Sequence, residues 1–355
     1  MKDASRSQTS TVAVIGMGAW GRNLVRNFAD LGVLSAVCDS NVAAEALCRR
    51  DYPGVSFTPD YRAILADPAI RAVALATPSA THSDMAMAAL DSGKDVFVEK
   101  PLATDIAAGE ALVRRAAEAG RILMVGHILR YHPAVIELQA LLRSGALGKI
   151  YYVYSNRLNI GRIRTEESIL WSFAPHDISV IGALLDEAPI RVSCQGGAYL
   201  SSGLCDVTLS QFDFASGVRA HIFVSWLHPF KEQKLVVVGS EQMAVFDDTS
   251  DEKLVLYPHR VEWHDRIPTA IKAPGRPVPV SRAEPLRREC LHFLDSIQTR
   301  QPPSTDGAEG LRVLRVLDAC QRALVGRGPV AISGTLDGGR ALTPYVAREA
   351  AEVAL

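Results

Sequence analysis

Cysteine, metal-binding motifs and long apolar runs are scarce or missing in this sequence. The six cysteines are spread along 355 residues, without the short Cys and His spacings that zinc sites use. We therefore expect no metal centre. No apolar run approaches the roughly 20 residues of a membrane span, and the polar first ten residues contain no apolar signal segment. These absences predict a cytoplasmic protein with reduced thiols and no membrane contact.

An excess of one charge is also lacking. Lys and Arg number 38 against 39 Asp and Glu, so no overall field attracts nucleic acid or anionic membranes. We expect neither as a partner. A length of 355 residues with 48% hydrophobic residues suits two domains, each with its own buried core.

Two patterns of hydrophobicity divide the chain. From residue 11 to about residue 126, runs such as TVAVIG, RAVALATP and DVFVEKP alternate with helical patterns. Runs that are apolar throughout predict strands covered on both faces, hence a parallel, doubly wound α/β sheet. Later runs such as KIYYVYSNRL and VRAHIFVSWL read as long alternating strands. They predict an α+β domain with a large, open-faced, mostly antiparallel sheet.

These patterns predict four segments along the chain. They are a disordered N-terminus over 1–10, the parallel-sheet domain over 11–126, the second domain over 127–335 and a C-terminal extension over 336–355. The extension contains a short amphipathic helical pattern, which leaves open whether it caps the sheet or contacts another subunit.

A glycine-rich motif, GMGAWG, connects the first strand to the first helical pattern. It places Gly16, Gly18 and Gly21 in a GxGxxG spacing. Glycines at this spacing permit a tight turn and the close approach of a pyrophosphate to a helix N-terminus. An acidic residue, Asp39, ends the next strand, as in Rossmann domains that bind dinucleotides. The combination predicts an NAD-binding Rossmann domain, with glycines that serve only a turn as the alternative.

Asp39 and the adjacent Ser40 also bear on the choice of cofactor. A carboxylate at this position accepts hydrogen bonds from ribose hydroxyls and repels a 2′-phosphate, which favours NAD over NADP. The residues next to it include no arginine that would neutralise this phosphate. Arg49 and Arg50 follow on the next helical pattern and leave the use of both cofactors open.

Two further loops fall where an open α/β sheet presents ligands, at the carboxyl ends of its strands. The loop ATPSATH offers Thr77, Pro78 and His82 as candidate cofactor contacts, with helix capping by Thr77 as the alternative. The next strand ends in EKP, which puts Glu99 and Lys100 at the same edge, near the nicotinamide. Lys100 can hydrogen-bond the reacting oxygen and stabilise the alkoxide that develops during hydride transfer. An exposed surface ion pair is the alternative.

The order GMGAWG, ATPSATH, EKP, GHILRYHP and PHD resembles the glucose-fructose oxidoreductase / inositol dehydrogenase / MocA (Gfo/Idh/MocA) family over residues 11–325. This resemblance implies a Rossmann domain followed by an open-faced sheet whose outer face assembles homodimers or homotetramers. It also implies that Lys100 is central to catalysis. By the same resemblance, His127 and Arg130 lie near the nicotinamide and the substrate.

The segment WSFAPHDIS supplies the candidate base. By the resemblance, His176 takes the position of the residue that exchanges the substrate proton, and a neutral imidazole accepts an alcohol proton near neutral pH. Asp177 either orients this base or binds substrate. Many polyol-oxidising relatives have an aspartate where this chain has Ser172, which is a departure from simple inositol dehydrogenases. Without the resemblance, a histidine packed on a helix face would be the simpler interpretation.

The stretches RLNIGRIR and ILWSFAPHDISV resemble the branch of the family that oxidises the 3-hydroxyl of UDP-linked N-acetylamino sugars or their uronates. Arg157, Arg162 and Arg164 could meet a pyrophosphate or a carboxylate, because guanidinium groups bind such anions bidentately. Asn159 could contact an amide or a hydroxyl. A solvated basic loop is the alternative interpretation.

The predicted activity is therefore the NAD-dependent oxidation of a ring C3 hydroxyl to a 3-keto sugar, for amino-sugar or surface-polysaccharide synthesis. Two other interpretations stay open. One is a dehydrogenase or ketoreductase for a free cyclic polyol or a deoxysugar. The other is a non-catalytic NAD-sensing regulator, which would have no need of Lys100.

Overall fold

The computed structural model of the chain describes residues 11–161 and 163–332. The predicted disordered N-terminus, Arg162 and the predicted C-terminal extension lie outside the described residues. The described chain forms two compact units, the first made of residues 11–128 and 284–314 and the second of residues 129–283 and 315–332. The chain therefore leaves the first unit and later returns to it.

The first unit contains a six-stranded parallel sheet. Its strands are β1 (Val12–Ile15), β2 (Leu34–Cys38), β3 (Ser56–Thr58), β4 (Ala72–Leu75), β5 (Asp95–Glu99) and β6 (Leu123–Gly126). The spatial order is β3-β2-β1-β4-β5-β6, so the chain winds outward in one direction from β1 and in the other from β4. This change of direction is a topological switch point, where open α/β sheets bind ligands. The predicted doubly wound parallel sheet is confirmed.

Helices connect these six strands. They are α1 (Gly21–Asp30), α2 (Val42–Asp51), α3 (Tyr61–Ala66), α4 (His82–Asp91) and α5 (Ile106–Ala119). Local signals fix their ends: the side chain of Asp105 accepts a hydrogen bond from the backbone N–H of Ala108 before α5. Gly120, in the left-handed conformation with φ of +61°, ends the same helix. The loops that leave the strands all emerge at the carboxyl edge of the sheet.

The second unit begins with α6 and contains one further long helix and most of the remaining strands. These elements are α6 (Pro133–Arg143), β7 (Ile150–Leu158), α7 (Ile169–Leu185), β8 (Arg191–Gly197), β9 (Val207–Asp213), β10 (Arg219–Ser225), β11 (Glu232–Gly239), β12 (Met243–Asp247), β13 (Leu254–Tyr257), β14 (Arg260–His264), β15 (Ile267–Ile271) and β16 (Arg276–Pro277).

The last elements are α8 (Pro285–Thr299), α9 (Gly307–Gly326) and β17 (Val330–Ala331). Helix α8 belongs to the first unit because of its aromatic core: the fully buried ring of Phe293 packs edge-on against Phe28 at 6.5 Å and Phe97 at 5.8 Å between ring centroids. The domain boundary near residue 126 stays a prediction, and the structure adds this return of residues 284–314 to the first unit.

The large sheet of the second unit has nine strands in the order β16-β13-β12-β11-β7-β10-β9-β8-β17. Strands β7 and β10 pair in parallel, and the other pairs within this sheet are antiparallel. On β10, Ala220, Ile222 and Val224 are buried, whereas the alternate residues His221 and Phe223 are partly exposed. The predicted open-faced, mostly antiparallel sheet is confirmed.

Strands β14 and β15 form a separate hairpin. No helix in the part of the chain that the structure describes is both long and apolar enough to cross a membrane.

Candidate functional site

The glycine motif forms a tight crossing between the end of β1 and the start of α1. Gly16 has φ of +98°, and a Cβ atom built on it would lie 2.7 Å from the backbone carbonyl of Ala76. A Cβ atom on Gly21 would lie 1.9 Å from the carbonyl oxygen of Gly16. Both positions therefore require glycine. Gly18 differs, because no atom lies within 4 Å of its hypothetical Cβ, which leaves open space beside the helix.

The N-terminus of α1 is suited to a phosphate. Its N-cap residue, Trp20, makes no side-chain capping hydrogen bond, and the first turn contains no acidic residue. Because no capping side chain or acidic residue occupies it, this helix N-terminus keeps its partial positive charge and its N–H donors for an anion. With the open space at Gly18, the loop fits the pyrophosphate of a dinucleotide.

Asp39 is fixed beside this loop. Its Oδ2 accepts a hydrogen bond of 2.6 Å from the backbone N–H of Met17, and its Oδ1 accepts one of 2.8 Å from that of Asn41. The carboxylate is partly exposed and the adjacent Ser40 is exposed. Asp39 therefore connects the glycine loop to the end of β2 and still presents negative charge to a ligand.

The two arginines of α2 are each occupied by a carboxylate. Arg49 lies 2.7 Å from Glu45, and Arg50 lies 2.7 Å from Asp51. Both pairs are largely exposed, so each contributes little to stability. Because exposed pairs of this kind can exchange partners, Arg49 and Arg50 still leave the use of both NAD and NADP open.

The loop after β4 is held from inside by His82, which is only 1% exposed. Its Nδ1 lies 2.8 Å from the carbonyl oxygen of Pro101, and its Nε2 lies 2.9 Å from that of Thr77. Carbonyl oxygens only accept hydrogen bonds, so both ring nitrogens donate when the ring is doubly protonated. The predicted cofactor contact at His82 is thus a buried ring that joins the loop after β4 to the loop after β5, while Pro78 is exposed.

Removing this ring should weaken the protein at the carboxyl edge of the sheet. In His82→Leu at least one of the two carbonyl groups loses its donor, at a cost of about 2 kcal/mol in the free energy of unfolding. We expect thermal unfolding followed by circular dichroism to show a midpoint lower by roughly 5–10 °C. His264→Leu is the control, because the side chain of His264 is 71% exposed. Equal midpoints for the two variants would contradict the bridging role.

Glu99 and Lys100 lie at the end of β5. Glu99 is 8% exposed, and its Oε1 accepts a hydrogen bond of 2.5 Å from the indole Nε1 of Trp20. Burial raises the pKa of Glu99 to about 7, against the opposing effects of the Trp20 hydrogen bond and the charge of Lys100. A buried carboxyl with these partners does not fit the alternative of an exposed surface pair.

His127 follows β6 and is 1% exposed. Its Nδ1 lies 2.7 Å from Oε2 of Glu309, a buried residue of α9. Sequence reasoning predicted His127 as a site residue but missed Glu309, as well as Trp20 and a third buried carboxyl, Glu289 of α8. For the two glutamates the sequence signal was weak, because it consisted of an acidic residue at an apolar position of an amphipathic helix.

In the second unit, two predicted substrate ligands are bonded to each other. The Nε and Nη2 atoms of Arg157 lie 2.9 and 3.1 Å from the carboxylate of Asp177, and the hydroxyl of Ser155 donates a 2.7 Å hydrogen bond to it. The side chains of Arg157 and Asp177 are 11% and 2% exposed. The pair fastens α7 to β7, and this leaves His176, the residue before Asp177, partly exposed on α7.

The other predicted ligands of this unit have separate surroundings. Arg164 is 47% exposed and lies 3.1 Å from Glu167. The Oδ1 atom of Asn159 is buried without a hydrogen-bond partner among the described residues. Ser172 and Arg130 are buried at 3% and 8% exposure.

Comparison with known proteins identifies the family of the chain. A model described as an oxidoreductase family with an NAD-binding Rossmann fold matches residues 10–127, and a model of the C-terminal domain of the same family matches residues 135–245. The chain belongs to the Gfo/Idh/MocA family. It is an oxidoreductase, and the NAD-binding Rossmann domain of the family matches residues 10–127.

Three known proteins illustrate the range of similarity. UDP-N-acetylglucosamine 3-dehydrogenase from Acidithiobacillus ferrooxidans is 27% identical over 311 residues, which cover 85% of this chain and 93% of that protein. Its solved structure superposes with a TM-score of 0.78 at 25% identity, over 89% of this chain and 97% of that one. Inositol 2-dehydrogenase from Rhodococcus jostii is 29% identical over 62% of this chain and 63% of its own length. Levoglucosan dehydrogenase in complex with NADH, 20% identical, shares the fold with a TM-score of 0.79 over 91% of this chain and 99% of that one.

Proposed function

We propose that this member of the Gfo/Idh/MocA family oxidises the C3 hydroxyl of a UDP-linked N-acetylamino sugar to a 3-keto sugar with NAD. The proposed substrate class rests on the similarity to UDP-N-acetylglucosamine 3-dehydrogenase, which spans 93% of that protein. The similarity to inositol 2-dehydrogenase from Rhodococcus jostii spans 63% of that relative. Ser172 supports the same choice, because it replaces the aspartate of many polyol-oxidising relatives.

A bound NAD would supply the hydride acceptor for the carbon that carries the hydroxyl. Gly16, Gly18 and the N-terminus of α1 would hold its pyrophosphate, and Asp39 would accept hydrogen bonds from its ribose hydroxyls. Lys100 donates a hydrogen bond to the substrate oxygen and stabilises negative charge as it develops there. His176 accepts the hydroxyl proton. Arg164 is half exposed, so its guanidinium can release Glu167 and bind a substrate anion instead.

The choice of NAD over NADP is tested at Asp39. We expect Asp39→Ser to weaken NAD binding by about 10- to 100-fold, because a charged acceptor for the ribose hydroxyls is lost. Binding of NADP should improve, since the repulsion of its 2′-phosphate is lost as well. Fluorescence titration with NADH and NADPH measures both changes. An unaltered ratio of the two affinities would contradict this role of Asp39.

The substrate class is tested by absorbance at 340 nm during incubation with NAD. The panel contains UDP-N-acetylglucosamine, its uronate, UDP-glucose, myo-inositol and a deoxysugar, each with and without a 2-oxo acid that recycles NADH. We expect turnover with the UDP-linked N-acetylamino sugars. Turnover with the free polyol or deoxysugar alone would favour the second enzyme candidate, which the similarity to inositol dehydrogenases suggests. Tight NAD binding with no turnover would favour the regulator.

A matched pair of arginine variants sharpens this test. Arg164 and Arg322 are 47% and 56% exposed, and each pairs with a nearby carboxylate of the same segment. We expect Arg164→Ala to raise KM for the UDP-sugar about tenfold, the loss of one charge-assisted contact, and Arg322→Ala to leave it unchanged. Arg157 is unsuitable for this purpose, because its removal would leave the buried carboxylate of Asp177 without its cation.

We also propose that the open face of the nine-stranded sheet assembles homodimers or homotetramers. Tyr152, Tyr154 and His221 form a stack on this face, and Leu209 on β9 is 38% exposed. Exposed apolar and aromatic groups gathered on one face are typical of interfaces. Light scattering after size exclusion should show a dimer or a tetramer, and Tyr152→Glu should shift it toward the monomer.

A further inference from the structure

Three buried carboxyl groups lie behind the carboxyl edge of the Rossmann sheet. Glu99 ends β5, Glu309 belongs to α9 and Glu289 belongs to α8, and their residues are 8%, 3% and 0% exposed. Glu99 and Glu309 act electrostatically on Glu289, so the three form one cluster. Gly126 makes room for it, because a Cβ atom there would lie 2.9 Å from Oε2 of Glu99.

The three groups differ in the donors they receive. Glu99 accepts a hydrogen bond from the Trp20 indole, and Glu309 is in contact with His127 at 2.7 Å. Neither oxygen of Glu289 has a hydrogen-bond partner in residues 11–161 and 163–332. A carboxylate without donors or a cation is very costly in the interior. Burial, together with the charges of Glu99 and Glu309, raises the pKa of Glu289 well above its usual value. The surroundings of Glu289 therefore favour its protonated form.

Glu99 is the member whose proton exchanges near neutrality, because the Trp20 hydrogen bond and Lys100 support its ionised form while burial opposes it. The other charged or titratable groups around the cluster come from the loops after β5 and β6, from α1, from α8 and from the start of α9. They are Lys100, His127, Arg26, Glu284, Cys290, Asp306 and Arg312. In the described part of the chain no group of three or more His, Cys, Asp or Glu side chains is arranged to hold a metal ion.

The position of Glu99 couples this site to the cofactor. In the strand order, β5 lies on the side of the switch point opposite β2 and Asp39, which is the side of the nicotinamide half of a dinucleotide. The oxidised nicotinamide ring carries a positive charge, which the reduced ring lacks. A cation beside Glu99 favours its ionised form.

We propose that Glu99, which lies beside the buried carboxyl of Glu289, stores a proton in step with the redox state of the bound cofactor. Binding of NAD+ expels the proton from Glu99 and binding of NADH retains it. When a secondary alcohol loses a hydride to NAD+ and a proton to the base, the base passes that proton to solvent and the ring loses its charge. Glu99 then takes back from solvent the proton that NAD+ binding released. The inference rests on NAD binding alone and not on the identity of the sugar.

The test is calorimetry of NAD+ and NADH binding to the full chain, in two buffers of different protonation enthalpy at pH 7. We expect NAD+ to release about half a proton, as linkage requires for a shift of about one pKa unit around neutrality, and NADH to release much less. Raising the pH from 6 to 8 should tighten NAD+ binding by roughly three- to tenfold and leave NADH binding nearly unchanged. Equal proton release with the two cofactors, or none, would overturn the proposal.

Variants assign the proton to its residue. Glu99→Gln should abolish the difference in proton release. Glu289→Gln should keep it, because glutamine imitates a protonated carboxyl, and Glu118→Gln is the exposed control on α5. Trp20→Phe should move the midpoint of proton release to higher pH, because Glu99 loses its hydrogen-bond donor. This variant tests the assignment independently if Glu99→Gln fails to fold. Release that persists in Glu99→Gln or disappears in Glu289→Gln would refute the assignment.

Discussion

Lys100→Met should abolish almost all turnover while the cofactor still binds. Lys100 is the group proposed to stabilise the developing alkoxide, and the loss of such a donor lowers kcat by about 1000-fold. Steady-state assays at 340 nm with the accepted substrate measure this loss, and fluorescence titration shows whether NADH binding is retained. Methionine keeps an unbranched side chain of similar shape without the charge, so packing at the end of β5 changes little.

The control for this variant is Lys231→Met, because Lys231 is exposed. It should have the activity of the parent enzyme. Loss of NADH binding in Lys100→Met to the same degree as loss of turnover would show that Lys100 serves the cofactor and not the chemistry.

His176→Asn should lower kcat by about 100- to 1000-fold, the usual contribution of a general base. The parent enzyme should lose activity as the pH falls and an imidazole base is protonated, and the variant should lack this acidic inflection. Profiles of kcat/KM for the sugar against pH, recorded at saturating NAD so that Glu99 does not affect them through cofactor binding, measure both effects. The hydrogen bonds from Arg157 and Ser155 hold Asp177 independently of the residue at position 176. The variant should therefore keep its thermal stability.

His264→Asn, on the exposed hairpin, is the matched control. A variant at His176 that retains the acidic inflection with an equal loss of kcat would assign the proton transfer to another group.

Local patterns predicted most of the fold. The continuous apolar runs became the buried strands β1, β4 and β6, since strands covered on both faces need no polar residue. The GxGxxG motif was equally informative, because Gly16 and Gly21 meet backbone atoms that leave no room for a side chain. These signals are short-range, so a single sequence contains them in full.

The remainder of the site depends on long-range contacts that have no local signature. Arg157 and Arg164 look alike in the sequence, yet one is fastened to Asp177 inside the second unit and the other is half exposed. Glu289 lies in an ordinary amphipathic helix, and only the fold shows that its carboxyl is buried. The identity of a residue limits what it can bond, but the partner is chosen by the tertiary structure.

The return of α8 to the first unit has a consequence for synthesis of the chain on the ribosome. Phe28 and Phe97 emerge early, but the ring that covers them, Phe293, follows nearly 200 residues after Phe97. The aromatic face of the first unit therefore stays uncovered while strands β7 to β16 are made, a state in which chains tend to aggregate. A gene fragment that ends near residue 128 would keep that face uncovered permanently.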